Sequence, residues 1–338
     1  MSEKPARSNS RRRFLQIVGL AGGAVVAGVP ISTELFPERR KPVSKANPYW
    51  NWRGFVLGAN ANIQIHGLPE ARAAELTSAC FDRMRELEMI FSLYEKDSAI
   101  STLNREGVLK DPPAELVALL RKAKAMHKAT SGAFDVTVQP LWNCYSEHYG
   151  KNPLAESPPP EREIEAARSR IGSEHLQVDE GRIAFARPGM SLTPNGIAQG
   201  FVTDIISELL AHEGVEHTLI NLGEYRAIGS HPAGRPWEIG IRAPGMEEEA
   251  LSDSLALAAG DALAVSGGHG TTFDAEGRFH HLLHPTKTRQ QPASRTIAIR
   301  AASATEADAL STACGVVDDN RARWLARRRG ASLRIYGS

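Results

Sequence analysis

One long amphipathic helix, opening at Pro69, constrains this chain's fold more than any other segment. Leu76, Cys80, Met84, Leu87 and Phe91 recur at spacings of three and four, which gathers them on one helical face. The helix is expected to end near Tyr94-Glu95-Lys96-Asp97-Ser98, and its apolar face requires a packing partner. Candidates for that partner lie on both sides. Gly54 to His66 alternates as one strand. A second helix from about Pro113 to His127 buries Leu116, Leu119, Leu120, Ala123 and Met126. The polar, Pro-rich stretch from Tyr149 to Glu161 is a loop, followed by a short helix near Glu163 to Ile171. Leu176–Val178 and Ile183–Phe185 read as a hairpin. A third long helix covers Ile197 to Leu210. Strands follow at Thr218–Leu222, Trp237–Arg242, Ser254–Ala258 and Thr296–Arg300, then a helix from Thr305 to Val317, a basic helix and a final strand. The alternation is irregular and without repeats, which predicts an α+β fold of mixed sheets with packed helices. No G-x-G-x-x-G follows the first strand, so the fold is not Rossmann.

The N-terminus carries a different message. Ser10-Arg11-Arg12-Arg13-Phe14-Leu15-Gln16 precedes a Gly-rich apolar run ending at Pro30. Basic residues before a short apolar run mark an export segment, and paired arginines with Phe-Leu behind them favour the twin-arginine route. The run is shorter than the ~20 residues of a spanning helix, and no cysteine follows it to take a lipid. The expected organisation is a signal at 1–30, a linker at 31–53 and one domain at 54–338, working in the periplasm as a monomer or weak dimer. A net charge of +1 gives no argument for nucleic acid. Cys80, Cys144 and Cys314 are odd in number and widely spaced, which argues against a disulfide framework.

Six segments could carry chemistry, and each also has a plainer reading. Asp308, Ser311 and Thr312 share a helix face and could present oxygens to magnesium, or form an ordinary solvated face. Thr193 to Gly200 is a Gly-rich turn into a helix start, suited to phosphate or simply capped by Thr193 or Asn195. Ser266 to Thr271 lets backbone approach a ligand, or makes a tight turn. His280, His281 and His284 could bind zinc or copper, or be individually satisfied. Thr130 to Pro140 could be a helix end followed by a strand. Tyr94 could stack on an aromatic ligand or belong to the core.

The order of these segments resembles the ApbE family of FAD:protein FMN transferases, from about Gly54 to the C-terminus. The resemblance rests on Leu57-Gly58-Ala59, on Ser92-Leu93-Tyr94-Glu95-Lys96-Asp97-Ser98-Ala99-Ile100-Ser101-Thr102-Leu103-Asn104, and on Gly132 to Asp135 with Pro140-Leu141. It continues through Gly196 to Gly200, Asn221-Leu222-Gly223, Arg226 to Gly229, Ser266-Gly267-Gly268 and Glu306 to Thr312. It implies an ApbE-like catalytic fold and magnesium-dependent transfer of FMN from FAD to a Thr or Ser hydroxyl of an acceptor flavoprotein in the periplasm or inner membrane, releasing AMP. The implied flavin nucleotide site is Leu57, Tyr94, Ala133, Phe134, Asp135, Thr193, Gln199, Ser266, Gly267 and Leu283. The implied Mg2+ ligands are the Gly196 carbonyl, Asp308 and Thr312, with Ser311 beside them, and His281 serves the transfer. The family often has Asp at the position of Thr193, Lys or Glu at Gln199, and Asp at His284, so charge near the flavin and phosphates is reduced. The form of Leu192 to Gly200 resembles the NosX-like branch, linked to nitrous oxide respiration. A hydrolase yielding FMN and AMP, and a non-catalytic FAD-binding assembly factor, are the competing readings.

Overall fold

The computed structural model describes residues 49–241 and 253–337; the export segment and Arg242 lie outside them. The elements run β1 (Tyr49–Val56), β2 (Ala59–His66), α1 (Glu70–Phe91), α2 (Ala99–Glu106), β3 (Val108–Lys110), α3 (Ala114–Ala129), α4 (Gln139–Lys151), α5 (Glu161–Arg168), β4 (Leu176–Val178), β5 (Arg182–Phe185), α6 (Ala198–His212), β6 (His217–Asn221), β7 (Tyr225–Ile228), β8 (Trp237–Ile241), β9 (Asp253–Leu257), β10 (Ala262–Gly267), β11 (Thr296–Ala301), α7 (Ala304–Gly315), α8 (Asp319–Arg328) and β12 (Ser332–Tyr336). The α+β class and the absence of a doubly wound sheet stand as expected.

A seven-stranded sheet in the order β1-β2-β6-β7-β10-β11-β12 forms the centre, antiparallel throughout. Alternate residues serve two cores. Ile220, Ala262, Ala264, Ile297 and Ile299 face the main core, where Leu76, Cys80, Met84, Leu87 and Phe91 of α1 pack with residues of α3, α6 and α7. Leu219, Leu263 and Ala298 face the other way, onto Trp237, Ile239, Ile241 and Leu257 of the β8–β9 hairpin. A third cluster joins Leu141, Tyr145 and Tyr149 of α4 to Ile164 of α5 and to Leu283.

Four sequence expectations change. The strand from Gly54 to His66 is a hairpin, because Leu57 and Gly58 both take positive φ (50° and 77°) in the two-residue turn that joins β1 to β2. β1 also takes in Tyr49 to Arg53, the stretch assigned to the linker, since Trp52 is buried and Trp50 donates its indole N–H to Thr77. The segment after Asp135 is not a strand. The Asp135 side chain caps a short 3-10 turn that runs into α4, with Pro140 in the first helical turn, where its missing N–H is harmless. A helix, α2, also stands where the sequence showed none, capped by Ser98, whose Oγ accepts from Ser101 N at 3.0 Å.

Candidate functional site

The site lies where the start of α6, the β6–β7 turn, the end of β10 and α7 converge. Two glycines make the approach possible. A Cβ on Gly200 would collide with the Ala304 carbonyl and sit 2.8 Å from Asp308 Cβ, and one on Gly196 would sit 2.9 Å from Thr312 Oγ1 and 3.3 Å from the Phe134 ring. The α6 backbone can therefore lie against α7 only without side chains there. Asp204 on α6 fixes the contact from the other side, its carboxylate accepting from Ala304 N, Thr305 N and Thr305 Oγ1 at 2.6 to 2.9 Å.

Asp308 is thereby buried, 3% exposed, with one oxygen accepting from Gly200 N at 3.0 Å. Thr312, one turn on, brings its hydroxyl beside Gly196. Ser311 Oγ donates to the Asp308 carbonyl at 2.9 Å, so its 2.7 Å contact with Ser266 Oγ has Ser266 as donor. Gln199 reaches back toward the Leu57 carbonyl at 3.5 Å and packs under Gly223.

Glu224 follows Gly223 in the β6–β7 turn and interacts with Asp308, and no spacing or motif in the sequence pointed to it. It is 4% exposed and its Oε2 has no hydrogen-bond partner. Burial, then the Asp308 charge, pushes its carboxyl well above the usual range, against the backbone N–H of Val265. Burial likewise raises Asp308, against the Gly200 N–H and reinforced by Asp204. Two carboxyls buried with no cationic side chain beside them among the described residues form an arrangement that favours a bound cation or retained protons.

A model of the ApbE family matches residues 57–336. The chain belongs to the ApbE family. The FAD:protein FMN transferase of Vibrio cholerae is 27% identical over 277 residues, covering 79% of this chain and 81% of its own. That of Salmonella typhimurium is 26% identical over 289 residues, covering 83% and 82%. A solved ApbE protein structure from Thermotoga maritima matches with a TM-score of 0.73 at 27% identity, covering 85% of this chain and 94% of that one.

In this ApbE-family chain the Ser92–Asn104 motif acts chiefly as scaffolding. Ser92 Oγ accepts from Tyr94 N and Glu95 N, and Ser98 Oγ donates to Ser92 O at 2.6 Å. Asn104 bonds both the N–H and the carbonyl of Leu192, fixing the strap that leads to Gly196. This leaves Tyr94 52% exposed, with the Asn195 side chain at its hydroxyl, so it is not a core residue. Thr193 Oγ1 accepts from Asn195 N at 3.3 Å and shapes the same turn.

Asp135 is held by donors of the chain itself. Its oxygens accept from Thr137 N, Thr137 Oγ1, Ser173 N and Ser173 Oγ, and pair with His127 at 3.1 Å. Burial raises its carboxyl, but the bonds from His127, Thr137 and Ser173 prevail and hold it below the usual range. A carboxylate this fully occupied braces the loop that presents Ala133 and Phe134, of which Phe134 borders Gly196. Leu283 likewise commits its side chain to the third apolar cluster. Gly267 stands at the end of β10, where a Cβ would strike the His269 ring.

The three histidines do not form a metal centre. His280 Nε2 bonds Gln291 O at 2.7 Å while its Nδ1 accepts from Leu282 N, and His284 Nδ1 accepts from Thr286 N. Among the described residues no group of three His, Cys, Asp or Glu is arranged to hold a metal ion. His281 Nδ1 lies 3.1 Å from Thr271 O, a carbonyl that only accepts, so Nδ1 carries the proton and Nε2 keeps its lone pair. Burial is the first cause that lowers its pKa to about 4, and the ring is neutral at pH 7.

His66 and His284 are also lowered to about 4, burial again being the first cause. Unfolded histidines protonate near 6.5, whereas these three resist down to about 4. Between those values the unfolded chain binds more protons at these positions, so the histidines' contribution is full above pH 6.5 and declines as pH falls toward 4, opposite in sign to that of the raised Asp308 and Glu224 carboxyls. The fall in urea midpoint between pH 7 and pH 4.5 is expected to be smaller in His66→Gln than in the unsubstituted chain; equal falls would contradict the burial of that ring.

Proposed function

We propose that this chain transfers FMN from FAD to a Thr or Ser hydroxyl of an acceptor protein, with AMP as the leaving group and Mg2+ as cofactor. The observation that carries this reading is the convergence of Gly196, Asp308 and Thr312 at the α6–α7 contact. A backbone carbonyl, a carboxylate and a hydroxyl are the hard oxygen donors that suit magnesium, which keeps waters and takes few carboxylates. The orphaned Glu224 oxygen and the side-chain-free cradle at Gly196 fit such an ion. When bound, it would supply neutralisation of the pyrophosphate charge.

The protein's own groups account for the rest. The start of α6 orients backbone N–H groups toward phosphate, and exposed Tyr94 offers a face for the isoalloxazine ring. The acceptor hydroxyl oxygen forms a bond to the FMN phosphorus, the phosphorus–oxygen bond to AMP breaks, and the hydroxyl proton passes to the free Nε2 of His281. AMP departs with the bridging oxygen. His281→Ala is expected to slow transfer by about 10²-fold or more, with FAD affinity retained; an unchanged rate would remove His281 from the mechanism.

The Arg11-Arg12-Arg13 segment supports an acceptor in the periplasm or on the outward face of a membrane protein. The form of Leu192 to Gly200 favours a regulator of nitrous oxide respiration as that acceptor. Incubation with FAD, Mg2+ and candidate acceptor domains tests the reading through in-gel flavin fluorescence. AMP released at full rate without any acceptor would instead make the chain an FAD hydrolase, and tight FAD binding with neither product would make it an assembly factor.

A further inference from the structure

We infer that Glu224 supplies a second negative charge to the cation pocket and so sets its affinity for a divalent ion, an inference that rests on the magnesium reading above. Three observations carry it. Glu224 is buried almost completely, yet Oε2 has no partner; an unsatisfied buried carboxylate oxygen costs stability unless a ligand satisfies it. Beside it in the turn, Gly223 packs on Gln199, whose neighbour Gly200 donates to Asp308; the Asp308 charge acts on Glu224, and no described cationic side chain offsets either group. The backbone around it holds it in place: Gly223 takes φ 105° and packs on Gln199, while Gly223 N donates to Asn221 Oδ1 at 3.1 Å.

A glutamate kept there for packing alone would be worse than a glutamine, which is uncharged and similar in volume. A carboxyl, unlike an amide, can shed its proton to a cation bound beside it, so its match is a ligand rather than the polypeptide. A hard divalent cation beside Asp308 is the chemistry that matches two carboxylates, a hydroxyl and a carbonyl oxygen. One carboxylate leaves such an ion dependent on the substrate phosphates; two give the pocket enough charge to hold it before FAD arrives. This predicts metal affinity in the FAD-free protein.

The test titrates Mn2+, followed by electron paramagnetic resonance, into the FAD-free full chain and into Glu224→Gln and Glu224→Asp, with a thermal melt of each metal-free protein. Glu224→Gln is expected to weaken Mn2+ binding about tenfold or more while its metal-free melting temperature stays level or rises, because a buried carboxyl whose ionisation is disfavoured has been replaced by a neutral amide. Glu224→Asp, which keeps the charge, is expected to retain most of the affinity. Equal Mn2+ affinity in Glu224→Gln and the unsubstituted chain overturns the inference, as does an equal loss in both variants, which would mark packing rather than charge. If the unsubstituted chain binds no Mn2+ with or without FAD, the magnesium reading itself fails and takes this inference with it. Binding that appears only with FAD spares that reading and overturns this one.

Discussion

Asp308→Asn is expected to abolish FMN transfer while leaving the protein folded. Loss of a carboxylate from the proposed Mg2+ site would remove several kcal/mol of charge stabilisation at the phosphates, and each ~1.4 kcal/mol is tenfold in rate, so the expected fall is about 10³-fold. The fold should tolerate the change. Asparagine keeps an oxygen for the Gly200 N–H, which donates to Asp308 at 3.0 Å. It also removes a carboxyl that burial and Asp204 hold above its ordinary range. A group whose charged form is disfavoured in the folded protein weakens stability once pH rises past its unfolded pKa. Near pH 8 the variant should melt at the same temperature or higher. Unchanged labelling would remove Asp308 from the metal site. A large loss of stability would mean that the carboxylate serves the fold.

Asp135→Ala is expected to do the opposite, costing about 3–5 kcal/mol of stability, the range for breaking a buried ion pair. Four donors from Thr137 and Ser173 would be left facing a void, and His127 would lose its partner. The folded carboxyl lies below its usual pKa. Its contribution is therefore present above the unfolded pKa near 3.9 and is lost as pH falls through the lower folded value. Urea unfolding at pH 7 reads the full loss; at a pH below both values the gap between the two proteins should close. A variant with unchanged stability and weakened FAD binding would make nucleotide contact, rather than bracing, the main work of Asp135.

These contrasts mark what the sequence could and could not convey. Helical periodicity located α1, α3, α6 and α7 because each has a buried face repeating every three or four residues. Alternation could not separate β1 from β2, since it reads the same on both sides of a two-residue turn; Gly58 was the only punctuation. Asp135 and Asp308 look alike as lone acidic residues in motifs. Their difference depends on Ser173, far along the chain, saturating one of them, and on Gly200 admitting the other to a pocket where no described cationic side chain meets it. Glu224 had no periodicity or spacing to announce it, because its meaning arises from a tertiary approach to Asp308. A polar residue between Gly223 and the apolar alternation of β7 was the only local sign.

The most direct measurement mixes purified protein, FAD and Mg2+ with an exported acceptor domain, and follows both products. The proposed function predicts that the acceptor gains the mass of one FMN less water, that AMP appears in equal amount, and that both require the divalent ion and the acceptor hydroxyl. AMP formed without acceptor labelling, or labelling that persists after chelation of the metal, would contradict it.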